Sequence, residues 1–149
     1  TRALWRLRED ISETLWHWQP YKNDISVRVS KMSDFLSEVD QLVAARYPDF
    51  EIVWYGHIGD GNLHLNILKP EDLPQTEFFE RCGIVSLEIG ELLARYGGSI
   101  SAEHGVGLLK KSLLPYSRSP VEIALMRSIK KTFDPKSILN PGKVFDALV

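Results

Sequence analysis

Apolar residues along the chain alternate between two periods, and each change of period marks an element. Leu4, Leu7, Ile11 and Leu15 recur at helical spacing and predict a first helix that ends before Pro20. Tyr21 to Val29 reads as a strand. After Ser30, the stripe Met32, Phe35, Leu36, Val39, Leu42 and Val43 predicts a second helix, stopped by Pro48. Glu51 to Ile58 and Asn62 to Leu68 follow as two strands around Asp60-Gly61, a pair suited to a tight hairpin turn. Phe78, Cys82, Val85, Ile89, Leu92 and Tyr96 line one side of a third helix ending at Gly97-Gly98, and Ser99 to Glu103 completes the pattern as a short final strand. In the tail, Ser119-Pro120-Val121-Glu122 combines an N-cap, a first-turn proline and a capping-box glutamate, opening a helix that stops near Asp134-Pro135.

The order strand, helix, strand, strand, helix, strand predicts an α+β domain. Its expected form is a ferredoxin-like βαββαβ antiparallel sheet with helices on one face, plus an N-terminal helix and a helical C-terminal tail. At 149 residues and 44% apolar, the chain suffices for one domain spanning residues 1–149, with a core of its own. The net charge of −2, with basic residues scattered among acidic ones, argues against a nucleic-acid or membrane-surface partner. The apolar runs are far shorter than the roughly 20 residues of a transmembrane helix, so no transmembrane segment is expected. Cys82 is the only cysteine, which excludes an intrachain disulfide and a thiolate zinc cluster. The chain starts inside a helical pattern without Met, cap or signal sequence, and is expected to be a fragment of a longer, cytoplasmic protein.

The chemistry concentrates on the predicted hairpin. With Asp60-Gly61 as its two loop residues, Gly59 faces Asn62, Ile58 faces Leu63 and His57 faces His64. Directly opposed residues have Cβ atoms roughly 4.5 to 5.5 Å apart, within reach of one ion. Strand parity puts Tyr55 and Asn66 on that same face and sends Ile52, Trp54, Leu65 and Ile67 toward the helices. The predicted last strand ends in Glu103 and His104, offering a carboxylate. Two histidines and a carboxylate with open positions suit catalytic zinc or another divalent ion. Histidines on a sheet face are also commonly just hydrogen-bonded or solvated, and that reading stands beside the metal one.

Three motifs then occur in order: Gly56-His57-Ile58-Gly59-Asp60-Gly61-Asn62-Leu63-His64, Ser101-Ala102-Glu103-His104-Gly105-Val106-Gly107, and Leu139-Asn140-Pro141-Gly142-Lys143. On these the chain resembles the C-terminal domain of FAD-linked oxidases of the vanillyl-alcohol oxidase superfamily, in the branch of D-2-hydroxyglutarate, D-lactate and glycolate dehydrogenases. The resemblance implies metal ligation by His57, His64 and Glu103, with His104 as general base. It places Arg8, Ser12 and Lys22 on a substrate carboxylate, Asn66 against the substrate and Lys143 near the flavin, with Ser12 standing where threonine is expected. The implied reaction oxidises a 2-hydroxy acid to a 2-oxo acid. FAD would be held mainly by the protein's own N-terminal domain, upstream of Thr1, and an unidentified acceptor would take the electrons. No dinucleotide fingerprint occurs in the chain, so the isolated fragment is expected to be colourless and redox-inactive. The alternatives are a ferredoxin-like binding or regulatory module and a metal-dependent hydrolase.

Overall fold

The computed structural model describes residues 2–146; Thr1 and the last three residues of the expected domain lie outside the described residues. Its elements are α1 (Arg2–Glu9), α2 (Ile11–Trp16), β1 (Tyr21–Ser26), α3 (Met32–Arg46), β2 (Glu51–His57), β3 (Asn62–Leu68), α4 (Gln75–Tyr96) and α5 (Pro120–Phe133). Short 3-10 turns occur at Val29–Lys31 and Lys111–Tyr116. The sheet has the order β1-β3-β2 with both pairs antiparallel, and the fold is the expected α+β mixture.

The odd-numbered face of β3 carries Leu63, Leu65 and Ile67 into one core with Phe35, Val39 and Val43 of α3 and Phe78, Cys82, Val85 and Ile89 of α4. Each helix turns a 3.6-period apolar stripe toward this sheet face, and burial of those stripes is the main drive for the arrangement. Helix α4 ends where Gly97 adopts φ +65°; its N–H bonds back to Ala94, and the N–H of Gly98 to Leu93. The capping box of α5 is present as expected, Glu122 N–H donating to Ser119 Oγ and Ser119 N–H to the Glu122 carboxylate.

Four expectations require correction. The single first helix is divided at Asp10, and of its stripe Leu4 and Leu7 are exposed while Leu15 is buried. Strand β1 ends at Ser26, because the Val29–Lys31 turn takes over the chain leading into α3. The hairpin loop has four residues, 58–61, so that His57 pairs with Asn62 and His64 with Tyr55. A two-residue type I′ turn needs positive φ at both central residues, and of Asp60 and Gly61 only Gly61 has it, at +78°. Instead the His57 carbonyl accepts from both Asp60 and Gly61 N–H, and Asp60 Oδ1 accepts from Asn62 N–H.

The fourth correction concerns the final strand. Ser99 makes a single antiparallel bridge to Ser26, on the free side of β1, and the ladder stops there, so the expected strand from Ser99 to Glu103 does not form. Beyond Ile100, whose N–H goes to Ser117 Oγ, the backbone N–H groups of 102–104 are taken by the side chain of Asp24. A backbone already satisfied by a carboxylate has no donors left for a strand partner.

Candidate metal and substrate site

On β1 and β3 the even-numbered positions form the opposite, polar face: Lys22 pairs with Asn66, Asp24 with His64 and Ser26 with Asn62. Strand β2 adds Tyr55 and His57 to it. The corrected register makes the two histidines diagonal neighbours, and both still share one face because parity is unaffected by the longer loop. Their rings stand perpendicular with centroids 5.9 Å apart. Helices α1 and α2 lie against this face: Arg8 Nη2 is 3.4 Å from His57 Nε2, and Ser12 Oγ is 2.7 Å from the Tyr55 hydroxyl. The segment after Ser99 closes the other side, and together they enclose an open cavity of about 350 Å³.

At its floor Glu103 Oε1 lies 3.0 Å from His57 Nδ1, and Oε2 lies 3.9 Å from His64 Nε2. The ring of His104 stacks on that of His64 at 5.7 Å and 29°. The structure thus brings His57, His64, Glu103 and His104 together, with Arg8, Ser12, Lys22 and Asn66 lining the same cavity. Lys22 also holds its Nζ 5.7 Å from the centre of the Trp16 ring. Lys143 lies apart from this cavity, its Nζ donating to the Pro141 carbonyl, although the next residue, Val144, donates its N–H to Gly107 beyond His104.

Asp24, unremarked in the sequence, proves central. Its carboxylate is 3% exposed, and Oδ2 accepts from the N–H groups of Ala102 (3.1 Å), Glu103 (3.0 Å) and His104 (2.9 Å) and from Ser101 Oγ (3.2 Å). Lys110 Nζ stands 3.6 Å from the same oxygen and donates to the Asp24 carbonyl at 2.9 Å. Burial opposes the charge of Asp24, but the N–H groups of His104 and Glu103 and the Lys110 ammonium outweigh it and hold the carboxyl below its ordinary value. Burial pushes His64 down against the pull of Asp24 and Glu103, toward the neutral form that ligation requires. Burial likewise lowers Lys110, with Asp24 opposing. The available sign of Asp24 was its parity: an acid two residues after Lys22, on the face of β1 away from Ile25.

Among the described residues this cavity holds two overlapping donor sets. Asp24, His64 and His104 each place one ligand atom within 4.8 Å of the others, whereas His57, His64 and Glu103 are linked through the two oxygens of Glu103. Their chemistry separates them. Asp24 is already engaged by three amides, a hydroxyl and an ammonium, which leaves little basicity for a cation. Glu103 keeps a 44% exposed carboxylate turned toward two imidazoles. Nδ1 of His57 also has Asn62 Nδ2 at 3.1 Å, and one ring nitrogen cannot donate to Glu103 while accepting from that amide. A cation between His57 Nδ1 and Glu103 would replace the proton that the contact with Glu103 otherwise requires on that nitrogen. Buried beside them, Asn62 Oδ1 has no partner. The residues present therefore fit a divalent ion on the second set.

The chain is 60% identical over 144 residues to D-2-hydroxyglutarate dehydrogenase of Stutzerimonas stutzeri (strain A1501), covering 97% of this chain and 31% of that protein. It is 56% identical to D-2-hydroxyglutarate dehydrogenase of Xanthomonas citri pv. viticola, covering 96% and 30% of the two chains. With the mitochondrial D-2-hydroxyglutarate dehydrogenase of Danio rerio it shares 42% identity, over 95% of this chain and 26% of the relative. It spans less than a third of the length of these relatives. Residues 1–144 match a single family throughout, and the chain belongs to the FAD linked oxidases, C-terminal domain, family.

Proposed function

We propose that this chain is the substrate- and metal-binding part of a longer FAD-dependent dehydrogenase that oxidises a D-2-hydroxy acid, D-2-hydroxyglutarate foremost, to its 2-oxo acid. The observation that carries this reading is the convergence of His57, His64, Glu103 and His104 in one cavity that also receives the cations Arg8 and Lys22. The relatives' names support this choice of substrate, a hydroxy acid with two carboxylates, to which two cations answer.

A divalent ion, zinc foremost, held by His57, His64 and Glu103 would supply Lewis acidity to the substrate hydroxyl. FAD would supply the hydride acceptor, with its phosphates held outside these residues, since the sequence has no dinucleotide-binding glycine fingerprint. His104 removes the hydroxyl proton. Its Nδ1 stands 3.8 Å from Asp24 Oδ2, which favours the proton on that nitrogen and leaves Nε2 free to accept. Arg8 captures a substrate carboxylate with its planar fork, and Lys22 adds a point charge to the same cavity. Ser12 and Tyr55, already bonded to each other, present a hydroxyl pair to the same end.

The test is metal analysis and activity of the full-length protein against D-2-hydroxyglutarate, D-lactate and glycolate, with and without His57→Ala and His64→Ala. Each variant is expected to lose bound metal and to fall about 100-fold or more in kcat/KM. Wild-type activity in either variant, or failure of all three acids to reduce the flavin, would overturn the reading. The chain purified alone is expected to be colourless, and stoichiometric FAD on it would contradict the division of labour.

A further inference from the structure

The polar face holds a buried carboxylate to which the proposed mechanism gives only a contact with His104. Asp24 is buried, sits at the centre of β1, and touches residues nearly eighty positions away. We propose that Asp24 is the positioning residue of this site: its carboxylate holds the 101–104 turn and orients His64, and so fixes where Glu103 and His104 present their reactive atoms. Where it concerns the ion, this inference rests on the proposed function.

The first part of the case is the turn. Ala102, Glu103 and His104 are consecutive, and all three point their N–H groups at the same oxygen, at 3.1, 3.0 and 2.9 Å. Three successive amides converging on one anion form a backbone nest, a shape that without the anion would hold like dipoles together. Ser101 Oγ adds a fourth donor at 3.2 Å. Among the described residues no strand ladder supports this stretch past Ser99. The turn that carries Glu103 and His104 therefore takes its conformation from Asp24.

The second part is the orientation of His64. Its Nδ1 is 3.9 Å from Asp24 Oδ1 and its Nε2 is 3.9 Å from Glu103 Oε2, so the ring lies between two carboxylates of different kinds. Ligating histidines generally turn their second nitrogen to a carboxylate, which fixes the tautomer and the ring angle. Asp24 stands on that side of the ring without a direct hydrogen bond, and its charge favours the proton on Nδ1, leaving the Nε2 lone pair on the Glu103 side. One buried acid thus aligns the carboxylate ligand, an imidazole ligand and the general base.

The reading of Asp24 as itself a ligand is weaker, because Oδ2 already accepts from three amides and a hydroxyl and has Lys110 Nζ at 3.6 Å. Lys110 compensates the buried charge, and it must be considered in any test. Removing one member of a buried pair leaves the other uncompensated and destabilises the fold. The informative variant is therefore Asp24→Asn/Lys110→Met, beside Asp24→Asn, in the full-length protein.

Zn²⁺ affinity by chelator competition, the visible absorption of the Co²⁺-loaded protein and amide exchange at Glu103 and His104 would be measured, with flavin absorbance and melting as checks of folding. In the folded double variant Zn²⁺ affinity is expected to fall about 10–100-fold and the Co²⁺ bands to move. Exchange at both amides should accelerate by about tenfold or more. Zn²⁺ affinity within about twofold of wild type, with unchanged Co²⁺ bands, would overturn the proposal. So would free exchange of the Glu103 and His104 amides in the wild type, a measurement that needs no variant. A wild type that takes up neither ion and is indifferent to His57→Ala overturns the proposed function and this inference together, and is recognisable because it shows before Asp24 is altered.

Discussion

The two faces of β3 are built from one seven-residue strand and obey different rules. Toward the helices, Leu63, Leu65 and Ile67 are buried without a polar atom among their side chains, in a core where every added contact stabilises. On the other face Asn62, His64 and Asn66 are also largely withdrawn from water, yet the Oδ1 atoms of both asparagines lack hydrogen-bond partners. A buried acceptor without a donor costs roughly 1–3 kcal/mol, so this face carries a cost that folding alone does not explain. The proposed binding role would account for it, since the unpaired atoms, the two imidazoles and the cavity occupy the same surface. One face is arranged for stability, and the other leaves buried polar atoms unpaired, as the proposed function requires.

The largest expected effect lies on the apolar face. Leu65 is fully buried between α3 and α4, and Leu65→Ala should cost about 2–5 kcal/mol of unfolding free energy, read by urea denaturation. A loss below about 1 kcal/mol would mean that this side of the sheet is not the tight core described.

The complementary change on the polar face should separate stability from activity. Asn66 Nδ2 donates to the carbonyls of Val53 and His64 at 3.3 and 3.2 Å, while its Oδ1 has no partner. Asn66→Leu removes the orphaned acceptor together with two long hydrogen bonds. Stability should stay constant or rise by about 1 kcal/mol, while kcat/KM of the full-length protein falls about 10–100-fold. A variant that loses both in proportion would show that the polar face serves the fold as the apolar one does.

This division of faces was largely legible in the sequence, because parity along a strand survives errors in where the strand is paired. His57, His64 and Asn66 fall on one side under either register, which is why the site residues converge although His57 opposes Asn62 and not His64. The register itself depends on the φ of Asp60, a single torsion that composition leaves open. The loss of the fourth strand was hidden for a different reason: the competitor for its amides is a side chain on β1, some eighty residues upstream, and no local propensity encodes that contact. The division of the first helix at Asp10 was likewise not marked by glycine or proline. Helix ends with a local chemical cause, Gly97 and Ser119 with Glu122, were read directly.

A third test asks whether the apolar face stays closed to water and base. Cys82 is fully buried there, and burial pushes its thiol from 9.0 up to about 12. Between those values the unfolded chain gives up the thiol proton while the folded protein keeps it, so the unfolded state binds fewer protons and stability falls as pH rises. Below pH 9 this contribution is fully present; through the window it declines by about 1.4 kcal/mol per pH unit at most. Urea denaturation at pH 8 and pH 10 should therefore show a shallower decline for Cys82→Ala than for wild type, whatever its starting stability. Equal slopes would place Cys82 in contact with solvent and break the picture of a sealed face.

The smallest effect is expected outside the sheet altogether. Helix α5 contains no buried residue, so neither face of β3 holds it, and its first turn depends on the reciprocal bonds between Ser119 and Glu122. Removing an N-cap hydroxyl costs about 1 kcal/mol. Because α5 contributes little to the core, Ser119→Ala should leave the global urea midpoint unchanged and appear as local opening, with amide exchange in the first turn of α5 about fivefold faster. A shift of the global midpoint comparable to that of Leu65→Ala would mean that α5 is coupled to the apolar face, and that the stabilising half of the molecule extends beyond the sheet and its two helices.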